Sequence, residues 1–246
     1  TRKESSAASD VYKRQSNDDP RFARIQTRQS LAALAPLGID VEALAEVARN
    51  MATAREALKS QTDRTAGDIL RMEAGAQVMQ AEGFFAAPEE LRRRLMIDAV
   101  WLVDGGAYPP RRGPVAALIA GLAEGQAATL GGCQALLRRG EIWVFREYNA
   151  VRDLRVPADQ IWDRRWRATP PEGLPQGAEL RALGAEGLAQ CPDWRSLGRP
   201  RAMLLSTPAI WQGARLLAAP LAGLDEKWHV QRESGVECNE TAPLSH

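Results

Sequence analysis

Between Asp40 and about Gln80, apolar or small residues recur at positions 44, 48, 51, 58, 65, 69 and 72. Steps of three, four and seven put these positions on one face of an α-helix. Asp40 is a good N-cap for that helix, and the "PLG" just before it supplies the break. The run "APEELRRRLMIDAVWLVDGG" predicts a second helix with Pro88 at its first position and Glu89 and Glu90 in its first turn. Its apolar face is expected to carry Leu91, Leu95, Ala99 and Leu102, and Gly105-Gly106 should end it. A third helix follows "YPPRRGP", from Val115 to about Ala123.

After Gly125 the pattern changes to strands. "QALLRRGEIWVFRE" places two apolar runs around an Arg-Arg-Gly-Glu turn, which predicts a hairpin. "AIWQGARLLAAP" repeats the design around Gln212-Gly213, and short strands fit "QIWDRRWRA" and "AELRALG". Proline and glycine punctuate the intervals densely. The fold class expected is α+β, with a helical domain over 40–126 followed by a small strand-rich α/β domain over 127–228. Residues 16–39 would lead into the helical domain. Residues 229–246 are polar and aperiodic and are expected to fray.

Composition narrows the class without naming a function. A chain of 246 residues with 45% hydrophobic and 26% charged residues has the balance of an ordinary globular protein. No apolar run is long enough to suggest a membrane span, no membrane partner is expected, and a cytoplasmic location is expected. The net charge of +1 advertises no basic field, but the distribution is telling: lysine occurs only at 3, 13, 59 and 227, so arginine carries nearly all positive charge. Arginines cluster at 92–94, 111–112, 138–139 and 164, 165 and 167. Arginine's planar fork grips phosphate bidentately and stacks on bases. A GC-rich genome, with its alanine, glycine, proline and arginine excess, accounts for any single cluster about equally well.

Candidate catalytic groups are few. Cys133, Cys191 and Cys238 lie far apart, and with only His229 and His246 beside them no metal centre is expected. No G-x-x-x-x-G-K-[ST] loop, G-x-G-x-x-G run or G-x-S-x-G elbow occurs. Cys133 in "TLGGCQ" reads better as a small buried residue at a strand start than as a nucleophile. Trp143, Trp162, Trp166 and Trp211 lie in strand-like runs and are expected mostly in the core.

One stretch carries more. "SNDDPRFARIQTR" resembles the segment that follows the ATP-pyrophosphatase domain in tRNA(Ile)-lysidine synthetases, with Ser16, Asn17, Asp19, Phe22, Arg24 and Arg28 at the matching positions. Ile25 stands where that family usually has Asn. "LRRRLMIDAVWLVDGGAYPPR", "ATLGGCQALLRRGEIWVFRE", "IWDRRW" and "STPAIWQGARLLAAPLAG" are similar to the later domains of the same family, in the same order. The resemblance runs from about Ser16 to about Trp228.

It implies a ligase that uses ATP with magnesium to adenylate the wobble cytidine of isoleucine tRNA and then joins lysine to it. The helical part would be a substrate-recognition domain. Arg24 and Arg28, four apart on one helix face, would contact phosphate near the catalytic centre. Arg111, Arg112, Arg92, Arg93, Arg138 and Arg139 would hold tRNA. A second copy of the chain is a further candidate partner. The family's S-G-G-x-D-S phosphate loop does not occur here, so on this resemblance the chain is expected to correspond to a C-terminal portion without the ATP-binding domain. "DVYKRQ" back-translates to a transposon end used in sequencing libraries, and residues 1–15 are therefore expected to be adapter-derived. The competing reading is a freestanding, non-catalytic module that binds RNA or dimerises. A weaker one is another ATP-pyrophosphatase relative, such as a tRNA thiolase.

Overall fold

The computed structural model describes residues 23–106, 108–224 and 227–233. They form two compact units, one over 1–60 and one over 61–246. Ser16, Asn17, Asp19 and Phe22 of the resemblance motif, the adapter-like residues and most of the polar tail lie outside the described residues.

In the first unit, helix α1 spans Ala23–Leu34 and helix α2 begins at Val41 within its full span Val41–Ile69. Asp40 caps α2 as expected: its Oδ1 accepts the Ala43 N–H at 2.8 Å. Of the predicted apolar face, Leu44, Ala48 and Met51 are exposed in this unit, as are Val41 and Val47 beside them.

The second unit holds the core. Periodicity places residues up to about Gln80 in the long helix; the structure ends that helix at Ile69 and turns the remainder into a hairpin. Strands β1 (Leu70–Glu73) and β2 (Ala76–Gln80) pair antiparallel across a two-residue turn, Ala74-Gly75. Both turn residues have positive φ, 47° and 83°, as a hairpin turn matched to strand twist requires. Sequence could not separate the two readings because Met72 fits a period of 3.6 as well as a period of 2.

Two helices follow, α3 (Ala81–Ala86), which periodicity does not predict, and α4 (Glu89–Asp104). Pro88 is the N-cap of α4 rather than its first helical residue. Leu91, Leu95 and Ala99 are buried as expected, while Val103 takes the core place assigned to Leu102. Helix α5 is Arg112–Ala123, starting three residues earlier than predicted.

Strands β3 (Ala128–Leu130), β4 (Cys133–Arg138) and β5 (Glu141–Arg146) complete a five-stranded antiparallel sheet of order β1-β2-β5-β4-β3. The predicted hairpin turn is there, with Arg139 and Gly140 at φ 52° and 78°. Residues on both sides of 126 thus share one sheet. Its two central strands are buried on both faces: Met79, Ile142 and Val144 pack with α4 and α5, while Val78, Trp143 and Phe145 meet Met203 on the other side.

A second antiparallel sheet has the order β10-β9-β8-β6, from strands β6 (Arg155–Pro157), β8 (Ala178–Ala182), β9 (Pro208–Gln212) and β10 (Arg215–Ala218). The second predicted hairpin is β9–β10, its loop centred on Gly213-Ala214. Of "QIWDRRWRA" only Trp166, Arg167 and Ala168 lie in a strand, β7 (Trp166–Thr169), paired with β11 (His229–Arg232). Short helices α6 (Tyr148–Val151), α7 (Gly184–Leu188) and α8 (Arg201–Leu205) fill the connections. The architecture is α+β, helices first and strand-rich sheets after. Among the described residues no helix is long and apolar enough to cross a membrane.

Candidate nucleic-acid interface

The C-terminal end of α4 sets the geometry. A helix leaves its last carbonyls without partners, and its dipole makes that end partially negative. Here three guanidiniums meet it. Arg164 Nη2 donates to the Asp104 carbonyl at 3.2 Å, Arg165 donates to the carbonyl of Val103, and Arg232 to that of Leu102. The Trp101 indole N–H donates to the Gly106 carbonyl at 2.7 Å, so the chain leaving the helix is held too.

Beneath this end lies a buried ionic network. Asp163 and Arg164 sit in the tight turn between Trp162 and Trp166, both with positive φ. The Asp163 carboxylate accepts from Arg146 Nε at 3.2 Å, from Arg146 Nη2 at 3.3 Å and from Arg165 Nε at 3.1 Å. Arg146 Nη1 also donates to Asp104 Oδ1 at 2.6 Å and to the Gly132 carbonyl at 3.1 Å. The Asp163 and Arg165 side chains are only 2% and 5% exposed. Burial lowers the Arg165 pKa, with Asp163 pulling the other way. At Arg146 burial also opposes the charge, but the Asp163 and Asp104 carboxylates outweigh it and raise the pKa. Cys133 is buried nearby, its thiol 3.5 Å from the Val100 carbonyl, and burial pushes its pKa up to about 12. A thiol so placed is no nucleophile.

Held at this base, the segment after Gly105 carries Tyr108, 78% exposed, then Pro109-Pro110 and the exposed Arg111 and Arg112. Arg111 is the N-cap of α5, whose first turn has no acidic residue and no side-chain cap. Among the described residues neither arginine is engaged by a carboxylate. The arrangement offers two unclaimed guanidiniums, the positive end of a helix and one exposed aromatic ring. That combination suits phosphate gripping and base stacking. Tyr108 has no signal in periodicity; its place before two prolines is the only hint.

The other arginines expected to hold tRNA are placed differently. Glu90 receives Arg93 through two bonds of 2.8 and 2.6 Å and Arg94 through one of 2.8 Å. The Arg93 bonds hold the Glu90 carboxyl at a pKa of about 2. Arg92 is partly buried, its Nε without an acceptor. Arg138 Nη1 donates to the Gly198 carbonyl at 2.7 Å, while Arg139 is exposed in the hairpin turn. Arg167 pairs with Glu233. Arg28 is exposed on α1, and the side chain of Arg24 lies outside the described residues. Trp143, Trp162, Trp166 and Trp211 are all buried, so none presents a free face for stacking.

No protein-family model matches the chain. Over 231 residues, 94% of its length, it is 47% identical to a tRNA(Ile)-lysidine synthase of Ruegeria pomeroyi and spans 55% of that protein. Over 114 residues, 46% of its length, it is 32% identical to a tRNA(Ile)-lysidine synthase of Rhodopseudomonas palustris and spans 33% of it. The chain therefore spans about half the length of the first relative and a third of the second.

Proposed function

Since this chain belongs, over the stretch it shares with these relatives, to the tRNA(Ile)-lysidine synthase family, we propose that it is the tRNA-positioning part of such an enzyme. The activity it would serve is the ATP-dependent joining of lysine to the wobble cytidine of isoleucine tRNA. Identity of 47% over 94% of the chain carries this reading. The unclaimed guanidiniums of Arg111 and Arg112 support it physically, since RNA is held chiefly through its phosphates and shape.

A magnesium-ATP site does not fit the residues present. The sequence has no S-G-G-x-D-S cradle, and among the described residues no three carboxylates, imidazoles or thiols gather around one point. No step of the ATP chemistry is assigned to this chain. Arg24 and Arg28 remain, on the family resemblance, phosphate contacts adjoining that chemistry. Arg111 and Arg112 are the principal tRNA contacts, with Arg139 also free to serve. Arg93 contributes less, because the Glu90 carboxylate already neutralises its guanidinium, and Arg92 and Arg138 are less accessible than the exposed Arg111, Arg112 and Arg139. The RNA-bound protein is expected in the cytoplasm.

Titration with isoleucine tRNA across a range of salt concentrations tests the reading. Replacing Arg111 and Arg112 together by Gln should weaken binding and flatten the slope of log affinity against log salt by about one to two units. Equal binding by parent and double variant at every salt concentration removes these residues from the interface. Incubation with ATP, lysine and unmodified tRNA should leave the anticodon unaltered.

A further inference from the structure

The outer edge of the second sheet contains an arrangement that the α5 site does not use. Arg155 on the edge strand β6 is the direct cross-strand partner of Arg181 on β8. Directly opposed side chains in an antiparallel pair have Cβ atoms about 4.5–5.5 Å apart, and like charges there are destabilising. Arginine cannot shed its proton to escape this. The sequence nonetheless puts two arginines opposite each other. Among the described residues no carboxylate pairs with either one. Glu179, two residues along β8 on the same face, lies opposite Pro157 and Trp211 instead.

Arg181 is also held in place. Its guanidinium carbon lies 4.0 Å from the centroid of the Trp211 ring, and its Nη2 donates to the Gly213 carbonyl at 3.3 Å. Its Nε is shielded and has no acceptor. A guanidinium already fixed by stacking loses little further freedom when it binds an anion. Arg155 is exposed beside it on the rim, where an extended polyanion can approach.

We propose that Arg155 and Arg181 form a second phosphate-binding point, on the edge of the strand-rich sheet. The ligand chemistry is a phosphate oxygen bridging two guanidiniums. The tRNA backbone is the favoured source; this choice of source rests on the tRNA reading above, whereas the anion site does not. Free inorganic phosphate is the other source. The bridging anion turns an opposed like-charge pair into a favourable one.

The test compares the full chain with Arg155→Gln, an exposed edge substitution that removes one charge and no core contact. In chloride buffer at low salt, R155Q should melt at the same temperature as the parent or higher, because the charge opposition is relieved. Replacing chloride by potassium phosphate at matched ionic strength should raise the parent's melting temperature more than the variant's. With isoleucine tRNA, R155Q should reduce the salt slope by about one unit, the release expected for one phosphate contact. Selective phosphate stabilisation with an unchanged tRNA slope supports the anion site and makes free phosphate its ligand. If the parent binds no tRNA, the positioning function fails, and the phosphate comparison still decides the anion site. Equal phosphate responses together with equal salt slopes overturn the proposal.

Discussion

Arg146 grips Asp163 with two parallel bonds, Nε to Oδ2 at 3.2 Å and Nη2 to Oδ1 at 3.3 Å, across a site where the carboxylate is almost wholly buried. Arg146 ends strand β5 of the first sheet, and Asp163 sits in a turn 17 residues later that leads into β7. The same carboxylate accepts from Arg165, which caps α4, so one side chain ties helix, sheet and turn together. Removing it leaves two arginines facing each other in a poorly solvated space.

Asp163→Asn should therefore destabilise the protein strongly although its shape is conserved. Asparagine tolerates the positive φ of 46° at this position, which separates the charge effect from backbone strain. Loss of one partner from a buried ionic group costs about 3–5 kcal/mol. Urea unfolding of D163N should show a lower midpoint at unchanged slope. A loss below about 1 kcal/mol would mean that the network is solvated in practice.

Cys133 provides a probe of the same region. With its thiol pKa pushed up to about 12 by burial, almost no thiolate exists at pH 8. Native protein should leave Cys133 unalkylated by iodoacetamide over hours, and urea should expose it to rapid reaction, both read by peptide mass spectrometry. Fast native labelling would show that the end of α4 opens readily.

Glu90 makes stability depend on acid. Its carboxyl titrates near 4.5 when unpaired and near 2 in the folded protein, chiefly through the Arg93 hydrogen bonds. A depressed folded pKa contributes stability that is complete above about pH 5 and lost as pH falls toward 2. Melting temperatures of the parent should fall more steeply between pH 5 and 2 than those of Glu90→Gln. Parallel curves would assign the acid sensitivity to other groups.

Gly187 is packed too closely for a side chain. A Cβ there would lie 2.6 Å from Leu183 Cδ1 and 2.7 Å from Trp211 Cζ2. Alanine gains up to about 1 kcal/mol of helix propensity, but overpacking typically costs about 1–3 kcal/mol. Gly187→Ala should lower the melting temperature and disturb the Trp211 stack on Arg181. A more stable G187A variant would show that α7 shifts freely.

Several features follow from the sequence alone because their causes are local. The cap at Asp40, the stop of α4 at Gly105 and the Arg139-Gly140 hairpin turn depend on neighbouring residues, and each is in place. The α+β class and the burial of Cys133, Trp143, Trp162, Trp166 and Trp211 follow from the same short-range patterns. The β1–β2 hairpin was not legible, since β2 is buried on both faces and so shows no polar alternation to mark it as a strand. Nor does any cluster of arginines announce its own role. Arg164 and Arg165 look in sequence like Arg111 and Arg112, yet the first pair meets the end of α4, and the second stands free at the start of α5. A guanidinium satisfied by carbonyls and a carboxylate has little left to offer a phosphate. Asp163 is two positions from Arg165, but the carbonyls that claim both arginines lie about 60 positions away, and only tertiary structure brings them there.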